Sequence, residues 1–95
     1  MAVVVLFEFP NEPIDKYEKV LDAGGTAVLE QPNRLSHVCY RTSEGFTVVD
    51  VWKDQESFAE FGKIIGPAIE KAGLHATPAI YPVEGTIGQD GRRSK

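Results

Sequence analysis

His37, Cys39 and Arg41 occupy alternate positions on one stretch of this chain, and Asp50 and Trp52 occupy alternate positions on the next. A period of two is that of a β-strand, so each set points to one side of its own strand. A hairpin turning at Glu44-Gly45 would set His37 opposite Trp52, Cys39 opposite Asp50 and Arg41 opposite Val48. All five then share one side of the sheet, while Val38, Tyr40, Val49 and Val51 share the other. A four-residue loop keeps this grouping; a three-residue loop or a bulge would separate His37 from Asp50 and Trp52.

That grouping suits acid–base work. In an apolar cavity, a histidine with a carboxylate nearby can move a proton near neutral pH, so His37 and Asp50 are the candidate catalytic pair. Trp52 offers a flat wall for an aromatic or quinone-like ligand, and Arg41, Cys39 and Tyr81 are further candidate substrate contacts. The same residues also have a structural reading: Asp50, His37 and Arg41 satisfy one another at a subunit interface while Trp52 fills space. Glu8 reads as a solvated strand-end carboxylate, and His75 as an exposed residue at a helix exit.

Other chemistries find little support. His37 and His75 stand far apart, no HxxxH, HxxE or CxxC spacing occurs, and no metal site is expected. There is no Walker loop, and Gly24-Gly25 ends a helix where a dinucleotide fingerprint would begin one, so no cofactor is expected. With Lys+Arg 10 against Asp+Glu 14, the net charge is −4. No basic stripe precedes Arg92-Arg93-Ser94-Lys95, which disfavours nucleic acid. A single cysteine and the lack of a charged, long apolar leader predict a reduced, cytoplasmic protein that neither crosses nor binds a membrane.

The elements that must position these residues follow from pattern. Residues 2 to 9 are a near-continuous apolar run suited to a central strand. Ile14, Tyr17, Val20 and Leu21 follow at helical spacing, with Asn11 or Glu12 to cap, Pro13 in the first turn and Gly24-Gly25 as the stop. The hairpin spans Leu35–Thr42 and Phe46–Trp52. Asp54 caps a second helix with Phe58, Phe61, Ile64 and Ile65 on its buried side; Gly66-Pro67 predicts a kink or fresh start before it continues to Gly73. A last strand, Ala76 to Val83, carries Pro78 and Pro82 on one side and belongs at a sheet edge.

The order βαββαβ predicts a ferredoxin-like α+β domain over residues 1–83, with an antiparallel four-stranded sheet and two helices on one face. Residues 84–95 read as a flexible or partner-contacting tail. Two strands are apolar on both faces, and two helices can cover only one side of the sheet. The bare side would exceed the roughly 300–600 Å² apolar patch of a typical monomer. A homodimer is therefore expected, and its joined sheets are expected to enclose the face carrying His37.

The segment GFTVVDVWKDQESF from Gly45 to Phe58, followed by Phe61 and by Pro67-Ala68-Ile69 to Gly73, resembles the dimeric α+β barrel superfamily, and within it the antibiotic-biosynthesis monooxygenase-like proteins. His37 resembles a histidine that some of these small proteins carry before the hairpin. The resemblance spans about residues 2 to 83, and its motifs are largely folding signatures. It implies a homodimer with a pocket between sheet and helices or within the joined sheets, binding a small apolar or aromatic molecule. Its members include cofactor-independent monooxygenases, small isomerases and cyclases, haem-degrading enzymes and stress-induced proteins. The haem-degrading members present a helix-borne histidine to iron, and the helix from Asp54 to Ala72 has none. In the oxygenase reading, His37, oriented by Asp50, removes a phenolic proton, Trp52 positions the ring, and the anion meets dioxygen. The alternative is a non-catalytic ligand-binding or stress-response structural protein.

Overall fold

In the computed structural model, which describes residues 1–94, the chain runs β1 (Val3–Pro10), α1 (Asp15–Gly24), α2 (Thr26–Leu29), β2 (Arg34–Arg41), β3 (Gly45–Trp52), α3 (Gln55–Lys71), β4 (Ala79–Pro82), β5 (Thr86–Ile87) and β6 (Arg93–Ser94). The first four strands form an antiparallel sheet in the order β2-β3-β1-β4, the ferredoxin-like arrangement expected from the element order. β4 takes the edge, where the N–H that Pro82 lacks is not missed.

Both major helices cover one sheet face. Val3, Val5, Phe7 and Phe9 of β1 lie in register with Trp52, Asp50, Val48 and Phe46 of β3, and all eight are buried. Val20, Val28, Phe58, Phe61, Ala68, Ala72 and Leu74 complete this core. Full burial of side chains as large as Phe46 or Trp52 stabilises by about 1.5–3 kcal/mol each. The alternate residues Val4, Leu6, Val49 and Val51 are only partly covered, and on the same side Val38 and Tyr81 are each 57% exposed.

One side of the sheet is thus left bare, but it is the opposite side from the one expected. His37, Cys39, Asp50 and Trp52 face the helices, and the aliphatic set with Tyr40 faces outward. The aromatic residues of β1 decide this. Phe7 and Phe9 share parity with Phe46 and Val48, and the Phe9 and Phe46 rings stack at 4.7 Å, giving this face the bulk that helices pack against.

Local chemistry accounts for the remaining differences. The hairpin tip is Ser43-Glu44: the Thr42 N–H donates to Gly45 O at 2.9 Å, and the Gly45 N–H donates to Thr42 Oγ1 at 2.9 Å. The register therefore slides by two, setting His37 opposite Asp50, Cys39 opposite Val48 and Arg41 opposite Phe46, with sidedness unchanged. Neither Asn11 nor Glu12 caps α1, whose N-cap is Ile14 without a side-chain bond. Gly25, at φ 58°, turns the chain out of α1 into the one-turn α2, which inserts Val28 into the core.

Asp54 does cap α3, accepting from the Ser57 N–H at 2.7 Å. The helix then runs unbroken through Pro67, which lies on its exposed side, as does Lys63, the residue whose carbonyl loses its helical donor. It ends at Gly73, φ 75°, with the Leu74 N–H reaching Ile69 O at 3.0 Å and the Leu74 side chain buried. Beyond Val83 the chain folds on itself as the β5-β6 hairpin; Lys95, the end of the expected tail, lies outside the described residues. Among the described residues no helix is long and apolar enough to cross a membrane.

Candidate active site

A line of four polar side chains crosses the core. Asp50 sits in the middle of β3 with its side chain 3% exposed. As a carboxylate it only accepts, and both oxygens are used: Oδ2 takes the Trp52 indole N–H at 3.2 Å and Oδ1 lies 2.6 Å from His37 Nδ1. The His37 ring, 28% exposed on the neighbouring strand, presents Nε2 to the Tyr17 hydroxyl at 2.7 Å. These partners assign the tautomer of neutral His37: Nδ1 carries the hydrogen and donates to Asp50, and Nε2 accepts from Tyr17.

Packing fixes each member. The Tyr17 ring lies nearly parallel to that of His37, 11° between planes, and meets the edge of Phe46. Trp52 is fully buried against Phe58 and Phe61. The Tyr17 hydroxyl is held above the ordinary phenol value of 10.0, first by burial, with Cys39, Glu18 and Asp50 adding and Arg34 opposing. Burial, and then the charge of Glu18, likewise pushes the Cys39 thiol up, which suits a packed thiol and not a nucleophile.

Tyr17, His37 and Asp50 open onto a cavity of about 110 Å³ between the sheet and the helices, with walls that are otherwise largely apolar, among them Phe7, Phe9 and Phe61. The cavity lies within one chain, between sheet and helices, which is one of the two places that the resemblance implied; the strand pattern had pointed to the other, between joined sheets. Of the residues singled out from sequence, His37 and Asp50 line it. Trp52 stands behind Asp50 and does not line it. Cys39 packs beside the core, Arg41 is exposed near the hairpin tip, and Tyr81 lies on the bare sheet face, all outside the cavity wall.

Two residues of the site were missed from sequence. Tyr17 reads as one more apolar position of α1; its place one turn before Leu21 on a core-facing stripe was the available signal. Arg34 reads as part of a polar loop. A bulge at Leu35 puts Arg34 opposite Trp52 and Ser36 opposite Val51, which turns the Arg34 side chain to the helix face. Its guanidinium donates to the carbonyls of Val28 (2.9 Å) and Leu29 (3.0 Å) and lies over the rings of Trp52 and Phe61. Among the described residues no group of three or more His, Cys, Asp or Glu is placed to hold a metal ion.

The fold is shared with solved structures at low sequence identity. One is SnoaB, a cofactor-independent oxygenase from Streptomyces nogalater, at TM-score 0.60 and 15% identity over 93% of this chain and 96% of that one. Rv0793 from Mycobacterium tuberculosis aligns at TM-score 0.65 and 14% identity, covering 88% and 97% of the two chains. A candidate antibiotic-biosynthesis monooxygenase from Chloroflexus aurantiacus aligns at TM-score 0.62 and 16% identity, covering 90% and 97%. The likeness is one of fold: an antiparallel four-stranded ferredoxin-like sheet with its helices on one face. No protein-family model matches the sequence, and no curated protein does.

Proposed function

We propose that this protein is a cofactor-independent oxygenase that deprotonates a phenol or hydroquinone in its internal cavity and lets the anion react with dioxygen. One observation carries the reading: a tyrosine, histidine and carboxylate linked by 2.7 Å and 2.6 Å contacts end on an apolar cavity. The substrate proton passes to His37 Nε2 through the Tyr17 hydroxyl, which gives up its own proton as it receives the new one. Asp50 stabilises the imidazolium that forms, and Trp52 holds Asp50 in place. A hydroquinone and dioxygen then give a hydroxyquinone and water: one oxygen atom enters the ring, the other leaves as water, and every electron dioxygen takes up comes from the substrate. The fold shared with SnoaB, named as a cofactor-independent oxygenase, supports this choice.

The test is oxygen uptake with hydroquinones across pH. His37→Ala is expected to lower the rate by about 10²- to 10⁴-fold; an unchanged rate removes His37 as the base. A cytoplasmic location, with no nucleic-acid or membrane partner, accompanies the proposal.

A second copy belongs to the proposal as well. Val4, Leu6, Val38, Val49, Val51 and Tyr81 form a continuous apolar sheet face that the helices of one chain leave uncovered. Val49, paired with Leu6 on one side and Val38 on the other, is at its centre. Val49→Asp should shift sedimentation at micromolar concentration from dimer to monomer; a wild-type monomer under the same conditions overturns the dimer.

A second reading, a non-catalytic ligand-binding or structural stress-response protein, is favoured by the absence of unsatisfied buried side-chain polar atoms among the described residues. Stability separates the two. If His37→Ala and Asp50→Asn each destabilise by about 1–3 kcal/mol without changing any turnover, the network is structural. If stability is kept or rises while turnover is lost, it was retained for chemistry.

A further inference from the structure

We infer that the cavity is built for a single-ring phenol carrying a carboxylate, with Arg34 as the residue that selects the anionic group. This inference deepens the oxygenase reading and rests on it for the placement of the phenol.

The polarity of the site has two ends. Tyr17 and His37 lie at one, where a phenolic hydroxyl is met. Arg34 lines the same cavity from the same strand. Arg34 and His37 stand opposite Trp52 and Asp50, so the two side chains leave the sheet roughly 7 Å apart. A benzene ring with para substituents spans a comparable length.

Charge then distinguishes the two ends. Among the described residues no carboxylate pairs with Arg34: its partners are two neutral carbonyls and two aromatic rings. Asp50, the other charged group in the wall, has both oxygens engaged by His37 and Trp52. A part-buried guanidinium without a counter-ion carries a desolvation cost that a bound carboxylate offsets, and three of its five N–H groups remain once the two carbonyls are met. Size sets the other limit. At about 110 Å³ the cavity is of the order of the roughly 150 Å³ engineered cavity that takes up benzene, a size matched to one ring.

The experiment is a binding titration at neutral pH with four probes: para-hydroxybenzoate, its neutral counterpart para-cresol, phenol and naphthol. The wild-type protein should bind para-hydroxybenzoate about tenfold or more tighter than para-cresol, as expected for a charge-assisted contact, and naphthol more weakly than phenol. Arg34→Met should lose the carboxylate preference while still binding para-cresol, and Arg34→Lys should keep part of it. Equal affinity of the wild-type protein for para-hydroxybenzoate and para-cresol overturns the inference without any variant. So does tighter binding of naphthol, a preference that survives in Arg34→Met, or the absence of binding by every probe. A carboxylate preference with no oxygen uptake would instead leave the binding site standing and remove the oxygenase.

Discussion

His37 and Asp50 face each other across the β2-β3 pair with 2.6 Å between Nδ1 and Oδ1, and that contact decides which imidazole nitrogen is left to take a proton. An acceptor-only carboxylate holds the hydrogen on Nδ1 and turns the Nε2 lone pair toward Tyr17.

Asp50→Asn should reverse this arrangement. The amide can still accept from Trp52 through its oxygen, but its NH₂ faces Nδ1, which must then accept and leave the hydrogen on Nε2. Turnover should fall by about 10²- to 10⁴-fold as the base is lost, while the variant remains folded. The ¹⁵N chemical shifts of the His37 ring report the tautomer directly, and an unchanged tautomer would refute the assignment.

Tyr17 should titrate late. Its phenol is held above the ordinary value of 10.0, chiefly by burial. A group whose folded-state value is raised contributes stability that is complete below the unfolded value and is lost as pH rises through the folded one. Alkaline titration followed by phenolate absorbance should show a component above pH 10.0 that vanishes in Tyr17→Phe. The same substitution should flatten the loss of stability across that alkaline window.

Trp52→Phe should destabilise the fold by about 2–4 kcal/mol. The change takes from Asp50 Oδ2 the indole N–H that it accepts inside the core and opens space beside Phe58 and Phe61. Denaturant unfolding at fixed protein concentration measures it, and a loss below about 1 kcal/mol would contradict the tight packing described.

Gly45→Ala should cost about 3 kcal/mol or more. A Cβ at Gly45 would stand 2.0 Å from the Phe9 carbonyl oxygen and 3.1 Å from the Asn11 nitrogen, both of them backbone atoms. Neither can yield easily, because the Asn11 N–H is bonded to Glu44 O at 2.6 Å. Thermal unfolding should show a lower midpoint than for Gly62→Ala, where a Cβ would meet nothing within 4 Å.

The placing of His37 with Asp50 was legible because strand alternation and the parity of a short hairpin group residues without needing the exact tip. The tip was misplaced by one residue, since Thr42 closes the turn with its own hydroxyl, and only the facing partners changed. Which side the helices cover was not legible from the hairpin, where the aliphatic Val38, Val49 and Val51 look the better packing surface. The first strand held the answer in the shared parity of Phe7 and Phe9, whose rings pack with Phe46 and Phe58. Tyr17 was hidden by its regular place on a helical stripe, and α2 by its length, since four residues after two glycines carry no period.

The irregularity at Leu35 decides which of two neighbours, Leu35 or Arg34, takes the helix-facing place opposite Trp52. Leu35 itself is 60% exposed and should accept polar replacements at little cost. Regular pairing with Leu35 kept would put Leu35 opposite Trp52 and turn the Arg34 guanidinium outward, off the Val28 and Leu29 carbonyls; deleting Leu35 removes the extra residue and keeps Arg34 opposite Trp52. In a chain of this fold, a one-residue gap at that position would therefore leave the cation facing the helices.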